Sequence, residues 1–284
     1  MAIFTNQATL SYNNTTTTSN IVTGEILEVL SAAKNAVNDE YSYGDTVTYV
    51  VSIINTGTAP FNGLTISDDL GAYTVGGITR TPLTYVDGSL AYYINGVLQT
   101  GATAVAGPPL LISGINVPAG GNAIVIYEAR VNEYAPLASG STIVNEAVVS
   151  GAGLSAPIEV SDTITIANNA QLSITKSLTP ETIVENGQLT YTFTIQNTGN
   201  TPAVATDNVT VTDLFTPILE NITVSLNGTV LTEGPQYVYD ETTGAFQTVA
   251  GVITIPAATY TQDPVTGQWN IVPGVTVLTV TGTV

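Results

Sequence analysis

The stretch "GDTVTYVVSIINTGTAPFNGLTISDDL" runs from Gly44 to Leu70, and "GQLTYTFTIQNTGNTPAVATDNVTVTDLF", from Gly187 to Phe215, repeats its pattern. Self-similarity over such a length marks a duplicated domain. In the first copy Val47, Tyr49, Val51 and Ile53 alternate with Thr46, Thr48, Val50 and Ser52; in the second Leu189, Tyr191, Phe193 and Ile195 alternate with Thr190, Thr192 and Thr194. Period two over such stretches means strands with one buried face. Asn-Thr-Gly at Asn55 and Asn197, and Asn-Gly at Asn95 and Asn227, supply turn chemistry. Many short strands with regular turns predict an all-β sandwich in each copy.

Outward from these stretches the repeat continues in the same order. "YYINGVL" (Tyr92–Leu98) is echoed by "VSLNGTVL" (Val224–Leu231), and "NAIVIYEARV" (Asn122–Val131) by "VTVLTVTGTV" (Val275–Val284). The domains are read as residues 26–167 and 168–284, with a short linker around Ala167–Ala170 and a separate N-terminal segment over 1–25.

Composition narrows the function. The 284 residues are 44% hydrophobic and 9% charged, with a formal charge of −18, only four Lys and Arg, no His and no Cys. Such an acidic chain lacks the basic footprint that nucleic acid requires, and repels an anionic membrane surface. Without Cys there is no disulfide, zinc finger or thiol nucleophile, and without His the commonest general base is missing. The carboxylates are scattered rather than set at calcium-loop spacing, so neither metal nor cofactor is expected. The opening "MAIFTNQATLSY" has no basic or apolar leader region, and no stretch reaches membrane-span length. The expectation is an extracellular protein, on a cell or spore surface, whose export signal was removed or whose route out is different.

The run Gly-Asp-x-Val-Thr-Tyr … Asn-Thr-Gly … Val-Thr-Asp resembles the bacterial and archaeal surface-protein repeat called domain of unknown function 11, and its relative, the isopeptide-forming domain of Gram-positive fimbrial subunits. The resemblance covers both copies. It implies tandem Ig-like β-sandwiches in a surface-exposed fibre or stalk.

Domain 1 continues past Val131 through "STIVNEAVVSGAGLSAPIEVSDTITI", a further strand pair, whereas domain 2 stops at the equivalent residue, Val284. Domain 2 is therefore expected to present an open sheet edge. The N-terminal "FTNQATLSYNNTTTTSNIVTGEI" has the pattern it lacks: Phe4, Asn6, Ala8 and Leu10 match Ile143, Asn145, Ala147 and Val149. This pair could fold back on its own domain 2 and close a ring. In domain 1, however, the strand pair leads directly into the next domain, and copying that geometry places the N-terminal pair in domain 2 of another identical subunit. Such a head-to-tail contact repeats without closing and gives a filament.

The chain's two lysines, Lys34 and Lys176, occupy equivalent places in the first strand of each repeat. Alternation puts Lys34 with Leu30 and Ala32, and Lys176 with Leu172, Ile174 and Leu178, on the core side. The same test turns Asn6, Asn145, Asp68 and Asp213 inward. Buried charges must be paired, neutralised or chemically changed. A desolvated Lys amine is a nucleophile, and a neighbouring carboxyl can polarise an Asn carboxamide and shuttle protons. The product would be a Lys–Asn amide with loss of ammonia, Lys34 with Asn145 and Lys176 with Asn6, promoted by Asp68 and Asp213. The resemblance to fimbrial isopeptide domains implies the same three roles at these positions. The competing reading is a buried Lys–Asp ion pair with Asn hydrogen-bonded nearby.

The leading expectation is thus a self-assembling filament subunit and not an enzyme. An adhesin or carbohydrate-binding module is the alternative, with Tyr73–Tyr93 and Tyr260–Trp269 as its candidate loops. The Asn-x-Thr sequons at Asn14, Asn208, Asn221 and Asn227 carry little weight in a Thr-rich chain.

Overall fold

Period two in the sequence becomes period two in burial. Along Thr46–Asn55 the inner residues Val47, Tyr49, Val51 and Ile53 are buried, while those between them keep solvent contact. β-branched and aromatic side chains favour this pleated, half-covered surface. The computed structural model describes residues 2–284. The chain divides into two compact units, one ending at Pro136 and resuming over Thr142–Thr165, the other made of Leu137–Ser141 and Ile166–Val284.

An N-terminal arm holds β1 (Ala2–Asn6), β2 (Thr9–Tyr12), β3 (Thr15–Thr18) and β4 (Val22–Ile26). β1 pairs antiparallel with β4 and β2 with β3, making one long hairpin. Its turn is Asn13-Asn14, at φ 44° and 62°. Asn enters this left-handed region more readily than most residues.

Unit 1 continues with β5 (Leu30–Ala36), β6 (Glu40–Tyr41), β7 (Thr46–Asn55), β8 (Phe61–Asp68), β9 (Tyr73–Val75), β10 (Ile78–Arg80), β11 (Leu83–Tyr85), β12 (Ala91–Ile94), β13 (Val97–Gln99), β14 (Thr103–Val105), β15 (Leu110–Val117), β16 (Asn122–Val131), β17 (Thr142–Ser150) and β18 (Ile158–Ile166). One sheet runs β13-β12-β16-β7-β5, the other β14-β15-β8-β17-β18-β6. Between them lie Tyr41, Tyr49, Tyr127, Leu64, Ile66 and Ile112, all fully buried.

Unit 2 holds β19 (Leu172–Thr179), β20 (Gln188–Asn197), β21 (Thr212–Leu214), β22 (Glu220–Leu226), β23 (Thr229–Val230), β24 (Tyr237–Asp240), β25 (Ala245–Thr248), β26 (Thr259–Gln262), β27 (Trp269–Val272) and β28 (Gly274–Thr283). The one helical element among the described residues is a single 3-10 turn, Ala205–Asp207. Its first sheet, β23-β22-β28-β20-β19, reproduces the order of that of unit 1 apart from β11, which pairs with β16 in unit 1 alone. The second runs β24-β25-β21 and stops. No described residue pairs with the far edge of β21, the place that β17 takes beside β8 in unit 1. The chain is thus all-β, two tandem Ig-like sandwiches plus the arm.

The Asn-Thr-Gly turns are more than loop punctuation. Asn55 and Asn197 are buried, and each carboxamide ties its turn to a distant stretch of backbone. Asn55 Nδ2 donates to the Ala59 and Pro118 carbonyls at 2.8 and 3.0 Å, and Asn197 Nδ2 to those of Thr201 and Pro256 at the same two distances. Buried donors and acceptors satisfied twice over in this way fix a turn that would otherwise fray.

Candidate functional site

Three strands of unit 1 converge on one polar cluster inside an apolar core. β5 brings Lys34, β8 brings Asp68 and β17 brings Asn145, and all three residues are buried. β8 and β17 are direct neighbours, with Asp68 opposite Ala147, two residues along from Asn145 on the same face. Lys34 Nζ lies 2.6 Å from Asp68 Oδ2, with both side chains wholly inaccessible to solvent. Burial pushes the Lys34 ammonium below its ordinary value, and the Asp68 carboxylate, helped a little by Asp69 and Asp162, holds it part of the way up.

The tyrosines of the cluster complete its electrostatics. Tyr49 and Tyr127 face each other across β7 and β16 and stack at 5.6 Å. The Tyr127 hydroxyl donates to Asp68 Oδ2, and the Leu70 N–H donates to Asp68 Oδ1 at 2.9 Å. Burial first, and the Asp68 carboxylate second, push Tyr127 well above its ordinary value, so it stays a donor. Lys34 Nζ sits 4.9 Å from the centre of the Tyr49 ring.

Asn145 is satisfied on one side only. Its Oδ1 accepts the Gly71 N–H at 3.1 Å, while its Nδ2 has no hydrogen-bond partner, nor has the Tyr49 hydroxyl. The carboxamide lies close enough to both tyrosine hydroxyls to offset a little of their pKa rise, without meeting hydrogen-bond geometry to either. Such buried orphans are rare, because each loses its water without replacement. These groups are suited to amide exchange: an amine weakened by burial, a carboxylate that can take its proton, and a carboxamide whose nitrogen nothing holds.

Unit 2 repeats two of the three groups in a different setting. Lys176 Nζ pairs with Asp213 Oδ2, but the Lys176 side chain is 39% exposed and that of Asp213 19%. The ammonium lies 4.3 Å from the ring centre of Tyr191, 5.3 Å from that of Phe215 and 5.4 Å from that of Phe193. Three rings thus attract it by their negative faces. Leu172 and Ile174, expected on a core face beside Lys176, are 43% and 53% exposed. They lie on β19, the edge strand of the first sheet, and no described strand continues the second sheet beyond β21.

The arm carries the remaining residues. Asn6 pairs across from Val22 and Phe4 from Gly24. A Cβ on Gly24 would stand 2.4 Å from the Phe4 ring, so the ring lies flat over the glycine. Phe4, Asn6, Ala8 and Leu10, read as core-facing, are exposed. An isolated two-stranded hairpin is marginal in water and needs a surface to lie on.

The cluster holds one group that sequence reading did not find, Tyr127. Alternation along Asn122–Val131 turns it inward, but only the register of β16 against β7 shows that it reaches Asp68. Three tyrosines of the aromatic loops considered for ligand binding have their hydroxyls bonded to backbone. Tyr73 donates to the Tyr134 carbonyl at 2.6 Å, Tyr92 to that of Asn116 at 2.7 Å and Tyr260 to that of Thr198 at 2.7 Å. The sequon asparagines named above, Asn14, Asn208, Asn221 and Asn227, lie at φ 62°, 53°, 54° and 49°. Turn chemistry accounts for them.

No protein-family model and no curated protein matches the chain, so the resemblance to domain of unknown function 11 rests on the residues quoted above. Among solved structures it is similar to the pilus backbone protein RrgB of Streptococcus pneumoniae, at 12% identity and a TM-score of 0.34 over 86% of this chain and 55% of that one. The major pilin BcpA of Bacillus cereus gives 10% and 0.37 over 95% and 73%. The collagen-binding domain of a Staphylococcus aureus adhesin gives 13% and 0.30 over 48% and 97%. The chain therefore spans about half the length of RrgB. Likenesses this loose carry no argument about function.

Proposed function

We propose that the protein is the structural subunit of an extracellular filament, built head to tail from identical copies. The arm of one copy completes unit 2 of its neighbour, and Lys–Asn isopeptide bonds reinforce the fibre. One observation carries this reading: the second sheet of unit 2 matches β14-β15-β8 of unit 1 but has no described counterpart of β17, β18 or the short β6, and an arm with the residue pattern of the β17-β18 pair stands exposed.

The direction of donation follows from the linkers. β18 leads through residues 167–171 into β19, and β4 leads through residues 27–29 into β5. By that equivalence the arm's host precedes unit 1, and a preceding unit of the right kind is unit 2 of another copy. Adding strands to an open sheet edge is an established way of joining chains. The contact is heterologous and does not close, so it propagates. Seated beside β21, the arm covers Leu172, Ile174 and Lys176 and sets Asn6 where Asn145 stands in unit 1. Covalent bonds then supply what disulfides cannot in a chain without Cys.

Electron microscopy of the purified protein and of a variant lacking Met1–Gly24 tests the reading. The full chain forms fibres and the truncated chain none, because unit 1 keeps its own β17 and β18 while unit 2 loses its donor. Identical fibres from the truncated chain would refute donor-strand assembly.

A further inference from the structure

Resting on the isopeptide reading for unit 1, we propose that the backbone N–H of Gly71 is a catalytic group of that reaction, the oxyanion donor for Asn145. When Lys34 Nζ attacks Asn145 Cγ, the carbonyl electrons move onto Oδ1, and this is the atom that the Gly71 N–H already contacts at 3.1 Å. With Lys34 attacking as the neutral amine, the new Nζ–Cγ bond forms and a proton passes from Nζ to the Asp68 carboxylate. Collapse of the oxyanion breaks the Cγ–Nδ2 bond, and the proton held by Asp68 goes to the departing nitrogen. Lysine amine and carboxamide become one secondary amide and one ammonia, with no oxidant or other reactant required. Donors aimed at the developing negative charge are usually the largest single contribution to such a step.

The local backbone is shaped for this contact. Leu70 and Gly71 follow β8 at φ 57° and 72°, two left-handed residues in succession. A leucine is seldom held in that region, and such outliers gather at functional sites. The turn is pinned from both sides, since Asp68 Oδ1 accepts the Leu70 N–H at 2.9 Å and Asp69 Oδ1 the Gly71 N–H at 2.8 Å. A Cβ at position 71 would stand 2.6 Å from Cγ2 of Ile143 and 3.1 Å from Cγ of Pro82. Glycine therefore lets β17 come close enough to place Asn145 on the N–H. The carboxamide itself is polarised one way, with its oxygen bonded and its nitrogen free.

Asp69 shares the Gly71 N–H and acts as a brake. Its negative charge draws the donor away from Asn145, and the donor moves across only as charge grows on Oδ1.

The test uses the full chain made by cell-free synthesis, with Gly71 replaced by glycolate through nonsense suppression so that an ester oxygen stands in place of the N–H. The readout is the rate at which the branched peptide joining Lys34 to Asn145 appears. The Gly71 ester slows closure by about 10²-fold, the usual effect of losing one such donor. An ester at Gly63, whose N–H donates to the Asn116 side chain near the exposed start of β8, leaves the rate unchanged. Should the Gly71 ester fail to fold, Asp69→Asn supplies a second arm: it weakens the competing acceptor, and closure speeds up several-fold more than in Asp162→Asn, which removes a second carboxylate acting on Lys34 without touching the Gly71 N–H. Equal rates in wild type and the Gly71 ester, or no acceleration in Asp69→Asn beyond that of Asp162→Asn, overturn the assignment to Gly71 alone. A wild-type chain that keeps free Lys34 and its ammonia overturns the isopeptide reading and this inference with it.

Discussion

Boiled in detergent, wild-type filaments run as a ladder of covalent oligomers, and Lys176→Ala, Asn6→Ala or Asp213→Ala each collapses the ladder to monomer. The expectation follows from the contrast between the two units. In unit 1 the lysine is sealed with its carboxylate, whereas Lys176 is held by Asp213 and three aromatic rings at a face still open to water. In the proposed assembly a docked arm would supply the missing carboxamide and remove that water together, so bond formation would wait for assembly. Fibres of all three variants should still form at neutral pH, because strand pairing and apolar burial do not depend on the covalent bond. Monomer as the sole species from wild-type fibres, with no branched peptide joining Lys176 to Asn6, would leave Lys176 and Asp213 as an ion pair and nothing more.

Lys34→Ala has its effect inside one subunit. Intact mass shows the wild-type chain lighter by one ammonia at unit 1, and the variant without that loss. Stability falls as well, since Asp68 is left buried with only the Tyr127 hydroxyl and the Leu70 N–H as donors. Where no bond has formed, removing one partner of this buried pair costs about 3–5 kcal/mol. Thermal unfolding of unit 1 reports the shift. Free Lys34 in a peptide map of the wild type would dispose of the bond, while the stability loss would remain as the signature of a buried ion pair.

What was legible in the sequence was local or repeated. Alternation along Thr46–Asn55 and Gln188–Asn197 foretells their buried faces, and Asn95-Gly96 and Asn227-Gly228 foretell hairpin turns. Lys34, Asp68 and Asn145 come together because each follows the period of its own strand. What stayed hidden depends on register and on meetings between distant segments. Tyr127 reaches Asp68 only because β16 pairs with β7 residue for residue, with Tyr127 opposite Tyr49. Gly71 matters through Ile143 and Asn145, more than 70 positions away by number, and no spacing rule connects them. Asn55 and Asn197 read as turn formers, whereas their burial and their bonds to Pro118 and Pro256 need a distant stretch of backbone to be known. The Asn13-Asn14 turn carried a usable signal, since paired asparagines tolerate left-handed backbone.

In the proposed fibre, a bond between Lys34 and Asn145 would also decide how each copy bears a pull. Lys34 lies on β5, the strand by which the chain enters the sandwich, and Asn145 on β17, next to β18, by which it leaves. With the two side chains joined, tension travels from β5 to β17 through a single covalent strut, and every loop and ladder between those residues hangs slack outside the line of force. A stretched fibre would yield by bending at its linkers rather than by unravelling this unit. Force–extension traces of the wild type should accordingly lack the length stored between the two residues, and Lys34→Ala should release it.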